Sequence, residues 1–141
     1  GEGRGSSMGG ADLEDIGYIQ TDATADERTW ATFQHLGGLI SWFIIGPFCF
    51  LVPLVMWLVK KEDSSYLDDH GREALNFELS MLLYGILLIP ISIVTLGIGA
   101  VLYIPWAIVG IVAPICGAVA ANKGRFYRYP VCIRFVAPRN Y

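Results

Sequence analysis

The chain has 141 residues, of which 54% are hydrophobic and only 16% charged. A soluble domain of this size carries about 25% charge, and every surface helix of a soluble bundle needs a polar face. Residues 29–59 hold one chargeable side chain, His35, and residues 79–122 hold none, so a soluble enzyme, a nucleic-acid binder and a disordered regulator are all disfavoured.

What remains is a single-domain integral membrane protein. Its net charge of −3 hides an acidic head of −5 over residues 1–28 and a basic end of +5 over residues 122–141. Residues 1–24 read as a flexible acidic, glycine-rich head, because their low apolar content cannot offset ordering entropy. They lack the apolar core of a signal peptide, so the first hydrophobic helix is expected to direct its own insertion.

The first apolar stretch covers residues 30–59 and is interrupted by Gly46-Pro47. One reading is a single kinked helix over about residues 36–59. The other is two shorter helices, about 25–45 and 48–61, joined at Gly46-Pro47. The second stretch covers residues 75–121, enough for two spans with a turn at 95–100. The positive-inside rule favours four elements over three. With four, all ten basic residues share one face; with three, they divide eight to two. The fold class is therefore all-α, a polytopic membrane helical bundle over residues 25–122 with both termini cytoplasmic. The second helix is short, and a re-entrant hairpin shielded by protein would accommodate it.

The junction between the apolar stretches holds most of the candidate residues. Lys60 and Lys61 end a helix, where cations suit the dipole and the headgroups. Ser65 and Asp68 have capping-box spacing, which predicts a helix starting near Tyr66. Within it Asp68 and Arg72 can pair, and Arg72, Asn76, Ser80 and Tyr84 form a polar stripe. Such a stripe faces other helices rather than lipid; the sharper reading is a substrate or ion path. Glu78 is the acid nearest the hydrocarbon, expected at the interface, paired with a tail arginine, or serving as a proton relay. His70 lies among Asp68, Asp69 and Glu73, a common spacing read as a solvated helix start rather than a metal site. No metal, no cofactor and no catalytic constellation is expected.

The last helix carries Gly110, Ala113, Gly117 and Ala121 near one face, a packing surface for a neighbouring helix or a second copy. Pro105 and Pro114 are expected to bend it. Cys49, Cys116 and Cys132 read as small buried hydrophobes with no disulfide or zinc pattern. The basic-aromatic tail, residues 123–141, begins with a glycine stop at Gly124. Tyr127, Tyr129, Val131, Ile133 and Phe135 then alternate with Arg128, Pro130, Cys132 and Arg134. This predicts an extended amphipathic segment on the cytoplasmic face with its aromatics at the interface. Arg128 and Arg134 are expected to bind anionic headgroups or the acidic 62–73 segment; nucleic acid is not an expected partner.

The motifs Lys60-Lys61-Glu62, Tyr66-Leu67-Asp68, His70-Gly71-Arg72-Glu73-Ala74-Leu75-Asn76-Phe77, Tyr127-Arg128-Tyr129-Pro130 and Ile133-Arg134-Phe135 resemble those of a family of small bacterial Tic-twenty-like membrane proteins. That family is similar to the membrane subunit of the chloroplast inner-envelope import apparatus and to the magnetosome proteins MamF and MmsF. The resemblance covers roughly residues 27–136 and implies a compact helical bundle, no cofactor and no catalytic residues. Glu78 stands where the family usually has glutamine. The expected function is a structural or accessory role in a membrane complex, through other subunits or self-association; the alternative is a conduit built from several copies. The bacterial cytoplasmic membrane is the expected location, with a plastid or other organelle membrane as the alternative.

Overall fold

The computed structural model describes residues 21–137. Most of the acidic head and residues 138–141 lie outside the described residues. Helix α1, Ala25–Ile45, begins at Thr24, whose hydroxyl accepts from the Glu27 amide while the Glu27 carboxylate accepts from the Thr24 amide. This reciprocal capping box satisfies two amides left over at the helix start. The helix stops at Gly46, whose φ of 61° favours glycine. A 3₁₀ turn, Gly46–Phe50, leads into α2, Leu51–Lys60.

The two helices run antiparallel. Ser41 donates to the Cys49 carbonyl at 3.3 Å, and the Lys60 ammonium lies 5.4 Å from the centre of the Trp30 ring. In one straight helix those last two residues would be ~45 Å apart. Gly37 allows the arms to meet, because a β-carbon there would fall 2.9 Å from Val52 Cγ1.

Helix α3, Ser65–Val94, follows a short turn. Its N-cap is Ser64, which accepts from the Leu67 amide at 3.1 Å. The expected box of Ser65 with Asp68 is thus displaced by one residue: Ser65 is already helical, and Asp68 turns to Trp57 and Arg72. Gly97, with φ of 93°, reverses the chain. A second 3₁₀ turn, Ile98–Leu102, precedes α4, Tyr103–Asn122. Pro105 falls in the first turn of α4, where a missing amide costs nothing; Pro114 lies in its interior. Helix α4 ends at Gly124, φ 79°, with the Arg125 amide donating to the Ala120 carbonyl and the Gly124 amide to that of Ala121. This is the Schellman pattern anticipated at that glycine.

The start of α1 lies beside the end of α4, because the Thr21 amide donates to the Gly124 carbonyl at 2.9 Å. The starts of α1 and α3 and the ends of α2 and α4 therefore share one end of the bundle. Gly46 and the 95–102 turn occupy the other. Three helical stretches are long and apolar enough to cross a membrane, Ala25–Lys60, Ser65–Val94 and Ile98–Asn122, and the first of these is folded back as the hairpin of α1 and α2. Helix α1, with 21 residues, reaches ~31 Å, close to the ~30 Å hydrocarbon thickness. There is no β-strand among the described residues.

Polarity is inverted relative to a soluble protein. Gln34, His35, Asp68, Asp69, His70, Glu73, Asn76 and Ser80 are buried, while Phe43, Ile44, Val94, Leu96 and Ile98 are strongly exposed. Helix α1 makes its most extensive helix pairing with α4. Gly117 and Ala121 lie against His35 and Ala31 of α1 and Ala113 packs with Phe77 and Met81 of α3, all three buried, so the small-residue face is taken up within the chain. Cys49 is buried as expected, but Cys116 faces outward from α4.

Changing Gly37 to Val would force Val52 and the α1–α2 arms apart. The expected loss of about 1–3 kcal/mol should appear as a lower thermal midpoint in detergent, whereas Phe43→Leu on the exposed face should change little. An unshifted midpoint for Gly37→Val would contradict the packing of the two arms.

Candidate functional site

The first half of α3 is the polar centre of the molecule, enclosed by α1, α2, α4 and the tail. Three carboxylates there each meet an arginine. Asp68 accepts from Arg72 Nε at 3.0 Å and from Trp57 Nε1 at 2.8 Å. Asp69 takes both terminal nitrogens of Arg128, at 2.6 and 2.9 Å. Glu73 meets Arg134 Nε at 3.1 Å and accepts from the Tyr129 amide at 2.9 Å. The forked pairing of Arg128 matches the two carboxylate oxygens, which makes it the most directional of the three. Of the two expected targets of Arg128 and Arg134, headgroups or acids, the structure shows the acids, and these lie on α3 rather than in a loop.

The tail passes along α3 and returns. It runs from Arg128 beside Asp69 to Val131, whose carbonyl accepts from the Tyr84 hydroxyl at 2.6 Å. Val131 has a φ of 48°, and the chain reverses there. On the way back Ser80 accepts from the Ile133 amide at 2.8 Å. Asn76 then makes two bonds with Val136, donating to its carbonyl at 2.8 Å and accepting from its amide at 2.7 Å. Arg72 donates to the Ala137 carbonyl at 2.6 Å. The predicted polar stripe is real, but its partner is the backbone of the tail rather than another helix. The reversal also breaks the expected alternation. Tyr127 and Tyr129 are buried in the bundle, while Val131, Ile133 and Phe135 turn outward.

Beneath the tail lies a chain of hydrogen bonds with a fixed direction. His70 Nε2 is 2.8 Å from the Arg125 carbonyl, which can only accept, so that nitrogen carries the proton. His70 Nδ1 is then the acceptor for His35 Nε2 at 2.8 Å. His35 Nδ1 in turn accepts from the Tyr129 hydroxyl at 2.6 Å. Burial pushes the Tyr129 hydroxyl well above its usual range, which keeps it a donor. The chain ends on a carbonyl, which accepts the His70 hydrogen bond but cannot take up the proton and pass it on, so it acts as a lock rather than a relay. Gly117 makes the close approach possible: a β-carbon there would lie 2.8 Å from His35 Nδ1 and 2.9 Å from the Tyr129 oxygen.

His70 is therefore fully buried and not part of a solvated helix start. Glu78 has no arginine partner among the described residues, Arg128 and Arg134 being taken by Asp69 and Glu73. It points the opposite way from Asn76, toward Gly38, and its Oε2 accepts from the Cys49 thiol at 3.1 Å. Lys60 and Lys61 sit at the rim, the former 3.1 Å from Asp63 and the latter 4.8 Å from the Trp57 ring centre. Gly110 lies against Met81. Among the described residues, no group of three or more His, Cys, Asp or Glu could hold a metal ion. Gln34 Oε1 is the one buried side-chain acceptor left without a partner among them.

Sequence reasoning passed over His35, Trp57 and Tyr129 as members of this cluster. A signal existed for His35, the one chargeable residue in an apolar stretch, which by itself marks a site inside a membrane protein. Trp57 and Tyr129 gave none, since aromatic residues are common at membrane interfaces.

The model of the magnetosome magnetite crystal formation protein family, MamF and MmsF, matches residues 26–136. The chain belongs to this family. Among the described residues, the matched region takes in the four helices except Ala25 and the tail as far as Val136. No curated protein and no solved structure matches the chain.

Changing Arg128 to Ala leaves Asp69 buried without its partner, a loss of about 3–5 kcal/mol for a buried pair. The tail should detach, so trypsin should cut faster at Arg125 and Arg134 in detergent-solubilised protein. Adding Asp69→Asn should restore part of the stability, because the stranded charge is gone. Equal protection of the tail in wild type and Arg128→Ala would rule out this pair as the latch.

Proposed function

From that membership we propose that the protein is a structural or accessory subunit of a bacterial membrane that serves magnetite crystal formation, with no catalytic chemistry of its own. The observation that carries this reading is the inward commitment of its polar residues. Asp68, Asp69, Glu73, His35, His70, Asn76 and Ser80 bond to the protein's own helices and tail. A reacting substrate would need such groups free and converging on an open cleft.

The polar end is the cytoplasmic one in this reading. Arg28, Lys60, Lys61, Arg72, Lys123, Arg125, Arg128 and Arg134 all belong to it, and the described residues at the opposite end carry no charge. The positive-inside rule favours that orientation. The rim, with Lys60, Lys61, Glu62 and Asp63, would then face headgroups and cytoplasmic partners. The apolar exterior would meet lipid and neighbouring subunits, including further copies of the chain.

Cross-linking in native membranes should capture defined complexes containing this protein, and protease sites placed at either terminus should be cut from the cytoplasmic side only. Recovery of monomers alone would overturn the accessory role. A selective conductance in planar bilayers, abolished by a change at Asn76 or Glu78, would favour a multi-copy conduit instead.

A further inference from the structure

Glu78 is the exception in the polar half of α3. Asp68, Asp69 and Glu73 each have an arginine, whereas Glu78 has no ion-pair partner among the described residues and meets only the Cys49 thiol. It lies 13 residues past the start of α3, or ~20 Å along the helix axis. An isolated carboxylate in such surroundings is too costly to persist, so a proton or another cation must neutralise it.

The carboxyl borders a cavity of about 140 Å³ between α1, α3, α4 and the Gly46–Phe50 turn. Aromatic residues supply much of its wall: Trp42, Phe43, Phe77 and Trp106. Trp42 and Trp106 meet edge to face at 5.7 Å. Two glycines open the space. A β-carbon on Gly38 would fall 2.6 Å from Glu78 Oε1, and Gly110 lines the α4 side. A single uncompensated acid among aromatic faces attracts a cation twice, by charge and through the ring quadrupoles.

We propose that this cavity binds small lipophilic ammonium ions, with the nitrogen on the Glu78 carboxylate and a one-ring or short alkyl body against Trp42, Phe43 and Trp106. The ammonium replaces the proton on the acid, so a carboxylic acid and an ammonium ion become an ion pair and one proton leaves for water. The ligand and the proton compete for the same oxygens. The volume admits a ligand body of one ring.

Phenethylammonium is a suitable probe, followed by tryptophan fluorescence of the full chain in detergent. The expected result is a saturable change whose affinity falls at least tenfold in Glu78→Gln and at least tenfold with phenethyl alcohol, the uncharged analogue. Glu78→Asp, which keeps the charge, should lose less than Glu78→Gln. Lower pH should weaken binding, and the ligand should protect Glu78 from dicyclohexylcarbodiimide. Thermal midpoints would establish that both variants are folded; should Glu78→Gln fail to fold, the alcohol, pH and protection measurements decide. Absence of saturable binding, or equal affinity for the amine and the alcohol, would overturn the proposal.

Discussion

Removing charged and amide groups from water is the constraint on which the rest of this structure depends. The first half of α3 buries Asp68, Asp69, His70, Glu73, Asn76 and Ser80 inside the protein, away from water. Each such group costs several kcal/mol unless its bonds are made inside the protein. Three arginines, two histidines, an indole and a tail backbone answer that demand, and their positions follow from it. Arg72 comes from the same helix, one turn on. Arg128 and Arg134 must come from elsewhere, and only a tail that folds back over the helix can deliver them.

The tail and α3 are complementary in both directions. An irregular segment has unpaired amides and carbonyls, which are tolerated at membrane depth only where protein satisfies them. Tyr84, Ser80, Asn76 and Arg72 satisfy those of Val131, Ile133, Val136 and Ala137. The helix side chains in turn have no other partners of that shape. Asn76 shows this most clearly, since its amide pairs with both backbone groups of Val136 as a neighbouring strand would. With its polar backbone turned inward, the tail leaves Val131, Ile133 and Phe135 outward, continuing the apolar exterior of the bundle.

The sequence made the architecture legible where local chemistry decides it. Gly46-Pro47, the 95–100 turn and Gly124 are chain reversals written in residues that permit positive φ or lack an amide. The segregation of basic residues identified the four-element topology, which the Trp30–Lys60 contact establishes. The Asp68–Arg72 pair and the polar stripe were legible from helical spacing. The partners of the stripe were not, because they are backbone atoms about 50 to 60 positions away, and backbone atoms carry no sequence signature. Alternation along the tail misled for a related reason. Period-two reasoning assumes one straight strand, and Val131 turns the chain over halfway. For Glu78 nearness to the charged segments suggested a tail arginine as partner, while its direction on the helix leads to Gly38 and Cys49.

The two halves of α3 are held in place by different physics. Its 30 residues span ~45 Å, more than a hydrocarbon core of ~30 Å needs. Most of residues 86–94 are exposed, and in a membrane apolar side chains gain nothing by choosing a helix over a lipid tail. Packing, as where Gly85 lets the Trp106 ring approach, holds that half together with a few bonds to carbonyls, from Tyr84 to Val131 and from Tyr103 to Gly85. The polar half has no such freedom, because its groups have one set of partners and lose heavily without them. Specificity of the fold is therefore concentrated at one end of the bundle. The directed bonds from Tyr129 to His35 to His70 tie tail, α1 and α3 together there, with Gly117 of α4 leaving the room.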